Sequence, residues 1–272
     1  MRPDIETVTG ILEEAAAEEI LPRFRVLKAD EVRAKDTGEL VTVADVAAEE
    51  RIGRRLLDLL PGSCVVGEEA VAADPRRLDG LSGDRPVWTI DPLDGTGNFA
   101  RGRPVFAVMV GLIRGGRTRA AWIHDPVGER TATAEEGSGA WMAGRRLRAA
   151  APASPAEMRG TLHAGSFATP EMVRRVRARR DRVGTVKSLN CAGGEYLRLV
   201  SGQTHFSLFT KLMPWDHAPG TLIHSEAGGT GRTLDGAPYR PRSYRAAGLL
   251  LAPDEASWGT LREVLFGNGA QG

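Results

Sequence analysis

The sequence predicts an α+β protein built in two unlike parts: an antiparallel sheet carrying two helices, followed by a layered α/β arrangement. Three observations lead there. Apolar or alternating runs at 105–113, 117–123 and 129–134 are joined by Gly115-Gly116 and by Asp125-Pro126-Val127-Gly128, which is the pattern of an antiparallel meander. Beyond residue 155 the rhythm changes to strand, helix, strand, helix. Between the two lies an Ala/Pro stretch, 149–155, the best boundary in the chain. The expected parts are residues 1–149 and 150–272.

The elements follow in order. Ile5, Val8, Leu12, Ala15, Ala16 and Ile20 recur at helical spacing before Pro22, so 4–21 reads as an amphipathic helix. Residues 28–41 are polar and mixed in sign; they read as a mobile loop or hairpin that holds Lys35 and Asp36. A helix over 43–60 carries Ile52, Leu56, Leu57 and Leu60 inward, and Pro61-Gly62 stops it. A short strand over 63–66 runs into Gly67-Glu68-Glu69, a polar connection fills 71–85, and a buried strand ends at Asp91. Residues 137–141 and 146–148 suggest one more hairpin. In the second part, strands are expected at 161–164, 186–189, 205–208 and 247–251. Helices are expected at 170–181, 192–201, 218–227 and 255–266.

Composition narrows the function classes. The 272 residues are 42% hydrophobic and 26% charged, with a formal net charge of +1, so no global field points to nucleic acid or to a membrane surface. The arginines at 174, 175, 177, 179, 180 and 182 have no interleaved aromatics for base stacking and read as a solvated helix face. No apolar run approaches the roughly 20 residues of a membrane span, and the N-terminus lacks the layout of a signal peptide. Two cysteines, Cys64 and Cys191, fit a reducing cytoplasm better than a disulfide framework.

The chemistry gathers where strands meet helices. In Trp88-Thr89-Ile90-Asp91-Pro92-Leu93-Asp94-Gly95-Thr96-Gly97-Asn98-Phe99, the Asp-Pro step holds Asp91 extended, and Asp94-Gly95 turns the chain into a helix start at Thr96. Two carboxylates thus sit beside free backbone N–H groups, which suits a hard cation next to a phosphate. Ordinary turn chemistry accounts for the same pentapeptide. Thr42-x-x-Asp45 fits a helix cap with an acid at its third position, Glu68 follows a strand, and Asp216 opens a helix in Met213-Pro214-Trp215-Asp216.

Taken together, the acids and their neighbours resemble the inositol monophosphatase family of metal-dependent phosphomonoesterases. That family also takes in nucleotide 3′-phosphatases, a histidinol-phosphate phosphatase and some fructose bisphosphatases. The motifs that carry the resemblance are 91–99, 215–220 (Trp-Asp-His-Ala-Pro-Gly), 67–69 (Gly-Glu-Glu) and 41–45 (Val-Thr-Val-Ala-Asp), spread over nearly the whole chain. The resemblance implies a sugar-phosphatase-like sandwich of α/β/α/β/α layers. It implies Mg²⁺, two or three ions per site: Glu68, Asp91 and the Leu93 carbonyl for the first, Asp91, Asp94 and Asp216 for the second, Glu68 with water for a third. It makes Asp45 and Thr96 the residues that orient and deprotonate the attacking water, and the N–H groups of Gly95 and Thr96 the phosphate cradle. A cytoplasmic homodimer acting on a small phosphorylated metabolite is the corresponding expectation, with lithium sensitivity.

The substrate side departs from the family pattern. Inositol-type enzymes carry a Glu seven residues before the Trp-Asp acid, where this chain has Phe209. Their Gly-Ser/Thr-Ala stretch aligns with Asn190-Cys191-Ala192. Asn190, Cys191, Phe209 and Lys211 are therefore the expected specificity residues. Histidinol phosphate or a nucleotide 3′-phosphate is the alternative substrate, and a non-catalytic anion- or metal-binding scaffold the alternative from another class.

Overall fold

Period-two alternation decides which side chains meet across the first sheet. The structure, a computed structural model, describes residues 3–35, 38–165 and 168–267. Its seven-stranded sheet is ordered β3 (Cys64–Gly67), β4 (Val87–Asp94), β5 (Ala107–Arg114), β6 (Arg117–Asp125), β7 (Arg130–Glu135), β8 (Gly139–Met142) and β9 (Arg145–Arg146). On β5, Val108, Val110 and Leu112 face one core while Ala107, Met109 and Ile113 face another. The strand reads as an unbroken apolar run because both of its faces are covered. The sheet is antiparallel except at β3, which pairs with β4 in parallel.

Helices α1 (Ile5–Ala15) and α2 (Val43–Leu59) cover the outer face, packing Val8, Leu12, Ile52 and Leu56 onto Trp88 and Trp122. The indole N–H of Trp122 donates to the Ile5 carbonyl at 3.1 Å and so fastens α1 to the sheet. The helix expected over 4–21 continues from α1 as a π turn to Ile20 and a short 3-10 turn to Arg23. β1 (Val32–Ala34) and β2 (Leu40–Thr42) pair antiparallel as a hairpin; Asp36 lies outside the described residues.

The second sheet has five strands in the order β11 (Gly184–Thr185), β10 (Arg159–His163), β12 (Phe206–Phe209), β14 (Leu249–Ala252) and β13 (Thr230–Thr233). It is mixed: β10 runs parallel to β11 and β12, whereas β14 is antiparallel to both of its neighbours. Between the sheets lie α6 (Ala192–Val200) and α7 (Pro214–Glu226), and outside the second sheet lie α5 (Pro170–Arg179) and α8 (Glu255–Phe266). The layers are therefore α1/α2, sheet, α6/α7, sheet, α5/α8, the five-layer sandwich that was expected.

Four expectations need correction. Residues 186–189 leave the sheet after Val186: the Leu189 N–H is taken by the Glu195 carboxylate and the Lys187 carbonyl by Arg198, so strand pairing ends. Helix α7 starts at Pro214 rather than 218, because a proline is well placed in a first turn that has no N–H partners to lose. The connection at 71–85 holds α3 (Glu68–Ala73) and a 3-10 stretch over 75–82. Strand β13, Thr-Gly-Arg-Thr, has no apolar pattern and was invisible in the sequence. The two parts also share one core, since Met109 and Ile123 of the first sheet cluster with Tyr196, Phe209 and Ile223.

Candidate active site

A bulge aims the two signature acids. Asp91 pairs with Met109 and Asp94 with Ala107, so three steps on β4 match two on β5. In a regular strand, residues three apart point to opposite faces; the extra residue restores one face. Within the bulge the Leu93 N–H donates to Asp91 Oδ1 at 3.0 Å. Gly95 then adopts φ 87°, a left-handed turn, and α4 (Thr96–Ala100) begins. Asn98, 3% exposed, ties this turn to the second half by donating to the carbonyls of Val105 and Leu189 at 2.9 and 2.8 Å.

Asp94 is clamped from across the molecule. Its Oδ1 accepts from the Ala192 N–H at 3.0 Å, and its Oδ2 accepts from the Gly193 N–H at 2.6 Å and from the Cys191 thiol at 3.0 Å. A Cβ on Gly193 would lie 2.8 Å from that of Ala107, so the approach requires glycine. Asp45 caps its helix and reaches Thr96 at the same time. Its Oδ2 accepts from the Thr42 N–H at 2.8 Å, completing the cap of α2, while its Oδ1 accepts from the Thr96 hydroxyl at 2.9 Å. Thr96 Oγ1 also lies 2.9 Å from the Leu93 carbonyl; its one proton can go to either.

Glu68 starts α3, and a residue not singled out from the sequence places it. Glu49, on α2 and 7% exposed, accepts from the N–H groups of Glu69 and Ala70 at 2.8 Å each. Its carboxylate fills the space that a Cβ on Gly67 would occupy, at 2.4 Å. The only sequence signal was its place one helical turn after Asp45. Lys35, from the β1–β2 hairpin, spans Glu68 and Glu69 with two contacts of 2.7 Å.

Asp216 comes from the first turn of α7. The neighbouring His217 sets that turn: its Nε2–H donates to the Lys211 carbonyl at 2.8 Å, so its Nδ1 accepts from the Tyr196 hydroxyl at 2.9 Å. A Cβ on Gly220 would fall 2.2 Å from the Tyr196 ring, which explains the glycine that closes the second signature.

The site carries an excess of negative charge. Burial, then the charges of Glu68, Asp94 and Asp216, push the Asp91 carboxyl far above the usual range. Burial also raises Asp94, against the hydrogen bonds from Cys191, Gly193 and Ala192. Asp216 is pushed up to about 8 by burial although Lys211 opposes it, and Asp45 to about 6 by burial despite its donors. Asp216 is thus one of the charges that raise Asp91. Burial works against the charge of Lys35, yet Glu68 and Glu69 outweigh it and raise its pKa. Among the described residues no three of these side chains already converge as a finished metal-ligand set. Lys35, paired with Glu68 and Glu69, does part of the neutralising. The donors themselves, hard oxygens in a half-buried cleft with more acids than cations, suit a divalent ion such as Mg²⁺.

The expected substrate residues divide. Asn190 is exposed, with φ 51°, at the segment that leads into α6. Lys211 pairs with Glu39 and so joins the β12–α7 loop to the hairpin. Cys191 is 4% exposed, and burial with the nearby Asp94 charge keeps its thiol protonated; it serves Asp94 rather than the open cleft. Phe209 is 6% exposed and lies between His163 and Tyr196, its ring centroid 5.0 and 5.6 Å from theirs. The ring is a packing member with a face toward His163, a residue the sequence reading passed over because a lone histidine at a strand end carries no pattern.

The sequence profile of the inositol monophosphatase family matches residues 3–265. The chain belongs to this family. A fructose-1,6-bisphosphatase/inositol-1-monophosphatase of Thermotoga maritima is 33% identical over 199 residues, 72% of each chain. An inositol-1-monophosphatase of Mesorhizobium japonicum is 33% identical over 214 residues, 76% of each chain. A solved IMPase structure from Thermotoga maritima shares the fold, with TM-score 0.78 at 24% identity over 96% of this chain and 97% of its own. This inositol monophosphatase family member is thus a phosphoric monoester hydrolase. Among the described residues, no helix is long and apolar enough to cross a membrane.

Proposed function

We propose that this family member hydrolyses a small phosphomonoester in a Mg²⁺-dependent reaction. The observation that supports the reading is electrostatic: the charges of Glu68, Asp94 and Asp216 all bear on the buried Asp91, and that of Glu68 also bears on Asp45, which accepts from Thr96, although these residues come from five separate elements. Glu68, Asp91, the Leu93 carbonyl, Asp94 and Asp216 would hold the ions. Bound Mg²⁺ supplies the positive charge that offsets these acids and makes a water more acidic.

This chain's own residues do the rest. Thr96 passes its hydroxyl proton toward Asp45 Oδ1 and presents its oxygen as an acceptor for a water. Asp45 is fixed by Thr42 on its other oxygen and is the proton sink behind that relay. Gly95 and Thr96 offer backbone N–H groups to phosphate oxygens. Asp94, held by three donors, cannot swing away when charge changes nearby. Catalysis on this reading is positioning plus charge neutralisation, with no covalent enzyme intermediate.

The substrate on this reading is not chosen by a carboxylate that accepts hydroxyl hydrogen bonds, because Phe209 stands at that position. Histidinol phosphate and a nucleotide 3′-phosphate therefore stay beside inositol phosphates as candidates. The experiment is phosphate release from these esters and from 4-nitrophenyl phosphate, with Mg²⁺ and with chelator. Release that needs Mg²⁺ is expected; no release from any ester at any Mg²⁺ concentration would favour the non-catalytic scaffold instead.

A further inference from the structure

The ends of β10 and β12 carry a stack of rings that the family motifs do not describe. Strands β10 and β12 run parallel, and both end at the edge of the sheet where α6 and α7 begin. That edge is also where Ala192 and Gly193 reach Asp94 and where Asp216 opens its helix. His163 is the last residue of β10, register partner of Phe209. Its imidazole lies parallel to the Phe209 ring, 5.0 Å apart at an interplanar angle of 6°. Phe209 in turn packs on His217, the neighbour of Asp216, at 4.7 Å.

Both ring nitrogens of His163 are turned to protein groups. Nδ1 lies 3.5 Å from Ser188 Oγ, whose partner is the Asn190 side chain. Nε2 is buried, without a hydrogen-bond partner, 3.6 Å from Oε1 of Glu195. Glu195 is fully buried, and its Oε1 is fixed by the Leu189 N–H at 2.7 Å, so it holds the imidazole edge from behind. The His163 side chain is still 24% exposed. With Nε2 buried, Nδ1 beside Ser188 and one face on Phe209, the opposite π face is left as the exposed part of the ring.

We propose that His163 is a specificity-determining residue of this hydrolase: its imidazole, laid on Phe209, is a platform for the leaving group and selects phosphomonoesters whose alcohol part carries a flat unsaturated ring over polyhydroxylated ones. This rests on the phosphatase reading above. A polyol finds no hydrogen-bond partner on a π face, whereas a flat ring gains offset stacking on it.

The test compares wild type with His163→Ala, His163→Gln and His163→Phe on 2-phenylethyl phosphate and on inositol 1-phosphate. Binding of benzylphosphonate, which cannot be hydrolysed, is measured by calorimetry alongside. The Ala and Gln variants should lose roughly three- to tenfold in kcat/KM on the phenylethyl ester, through KM. They should stay within about twofold of wild type on the inositol ester and should bind benzylphosphonate more weakly by the same factor as the KM change. His163→Phe, which keeps the plane without the nitrogens, should restore both. An unchanged substrate ratio in a folded Ala or Gln variant, or equal losses on both esters, overturns the platform. Should Ala fail to fold, Gln and Phe still decide, because only a platform separates them. Wild type that hydrolyses neither ester, nor any other phosphomonoester, overturns the phosphatase reading itself and the platform with it.

Discussion

Two walls of one cleft are built by opposite means. The acid wall is fixed by backbone: a bulge in β4, the N–H groups of Leu93, Ala192 and Gly193, and glycines at 95, 193 and 220 where a Cβ has no room. The leaving-group wall is fixed by side chains resting on side chains, His163 on Phe209 on Tyr196, with Glu195 behind. Backbone contacts survive most substitutions, so the first wall can keep its chemistry while the second is exchanged residue by residue. A fold that serves many phosphate esters needs such a division, because the phosphate is common to all and only the alcohol differs.

The comparison fails if the two walls cannot be perturbed separately. The largest effect is expected from Asp91→Asn, on the order of a thousandfold loss of kcat on every substrate alike. The metal-free variant should melt at or above wild type by calorimetry, since one of several mutually repelling buried acids is gone. Near-normal turnover at saturating Mg²⁺ would remove Asp91 from the centre of the site. Next comes Thr96→Ala, with roughly a hundredfold loss of kcat and little change in KM, partly restored in Thr96→Ser. A loss confined to KM would make Thr96 a binding group only.

Gly220→Ala should cost about 2–3 kcal/mol of stability in denaturant titration, because a methyl 2.2 Å from Tyr196 forces that ring or α7 to move. Stability within error of wild type would show that the helix slides freely, and with it Asp216. Lithium sharpens the acid wall further. Tens of millimolar Li⁺ should inhibit, uncompetitively or nearly so, on every ester tested; full activity would mean that Asp91, Asp94 and Asp216 do not form a family-like second site.

The smallest effect is a pH dependence of folding. Burial holds His224 neutral in the fold, with its pKa lowered to about 4 from an ordinary 6.5. The unfolded chain therefore binds the extra proton first as pH falls. The stability that depends on a neutral His224 is complete above about 6.5 and is lost as pH drops toward 4. His224→Leu should flatten that part of the stability-against-pH curve, and an unaltered curve would assign the dependence to other groups.

The acid wall was legible in the sequence because its residues sit in contiguous signatures whose local chemistry, Asp-Pro, Asp-Gly and a Thr cap, is readable without the fold. The five layers were legible from periodicity. What could not be read is whatever depends on pairing between distant segments. The bulge that turns Asp91 and Asp94 to one face is a register shift against β5. Glu49 and Glu195 gain their contacts only because α3 and residue 189 are brought beside them. Phe209, expected at the substrate, is instead buried, with its ring in the layer between the sheets and stacked on His163. Residues 186–189 had a strand's composition and lost the pairing to side chains that compete for their backbone groups.

Helices α6 and α7 lie between the two sheets, and Asp216 and the clamp on Asp94 both come from that middle layer. The consequence concerns how the protein could be taken apart. A chain cut in the connector at 149–155 would leave the N-terminal piece with three acids and a bare apolar sheet face, and the C-terminal piece with the fourth acid and an α7 stripped of the sheet it packs on. On the proposed reading, neither piece alone would carry the full set of ligands. Mixed together, they should regain hydrolysis only by reassociating across that face, so recovered turnover would read out the reunion of the halves.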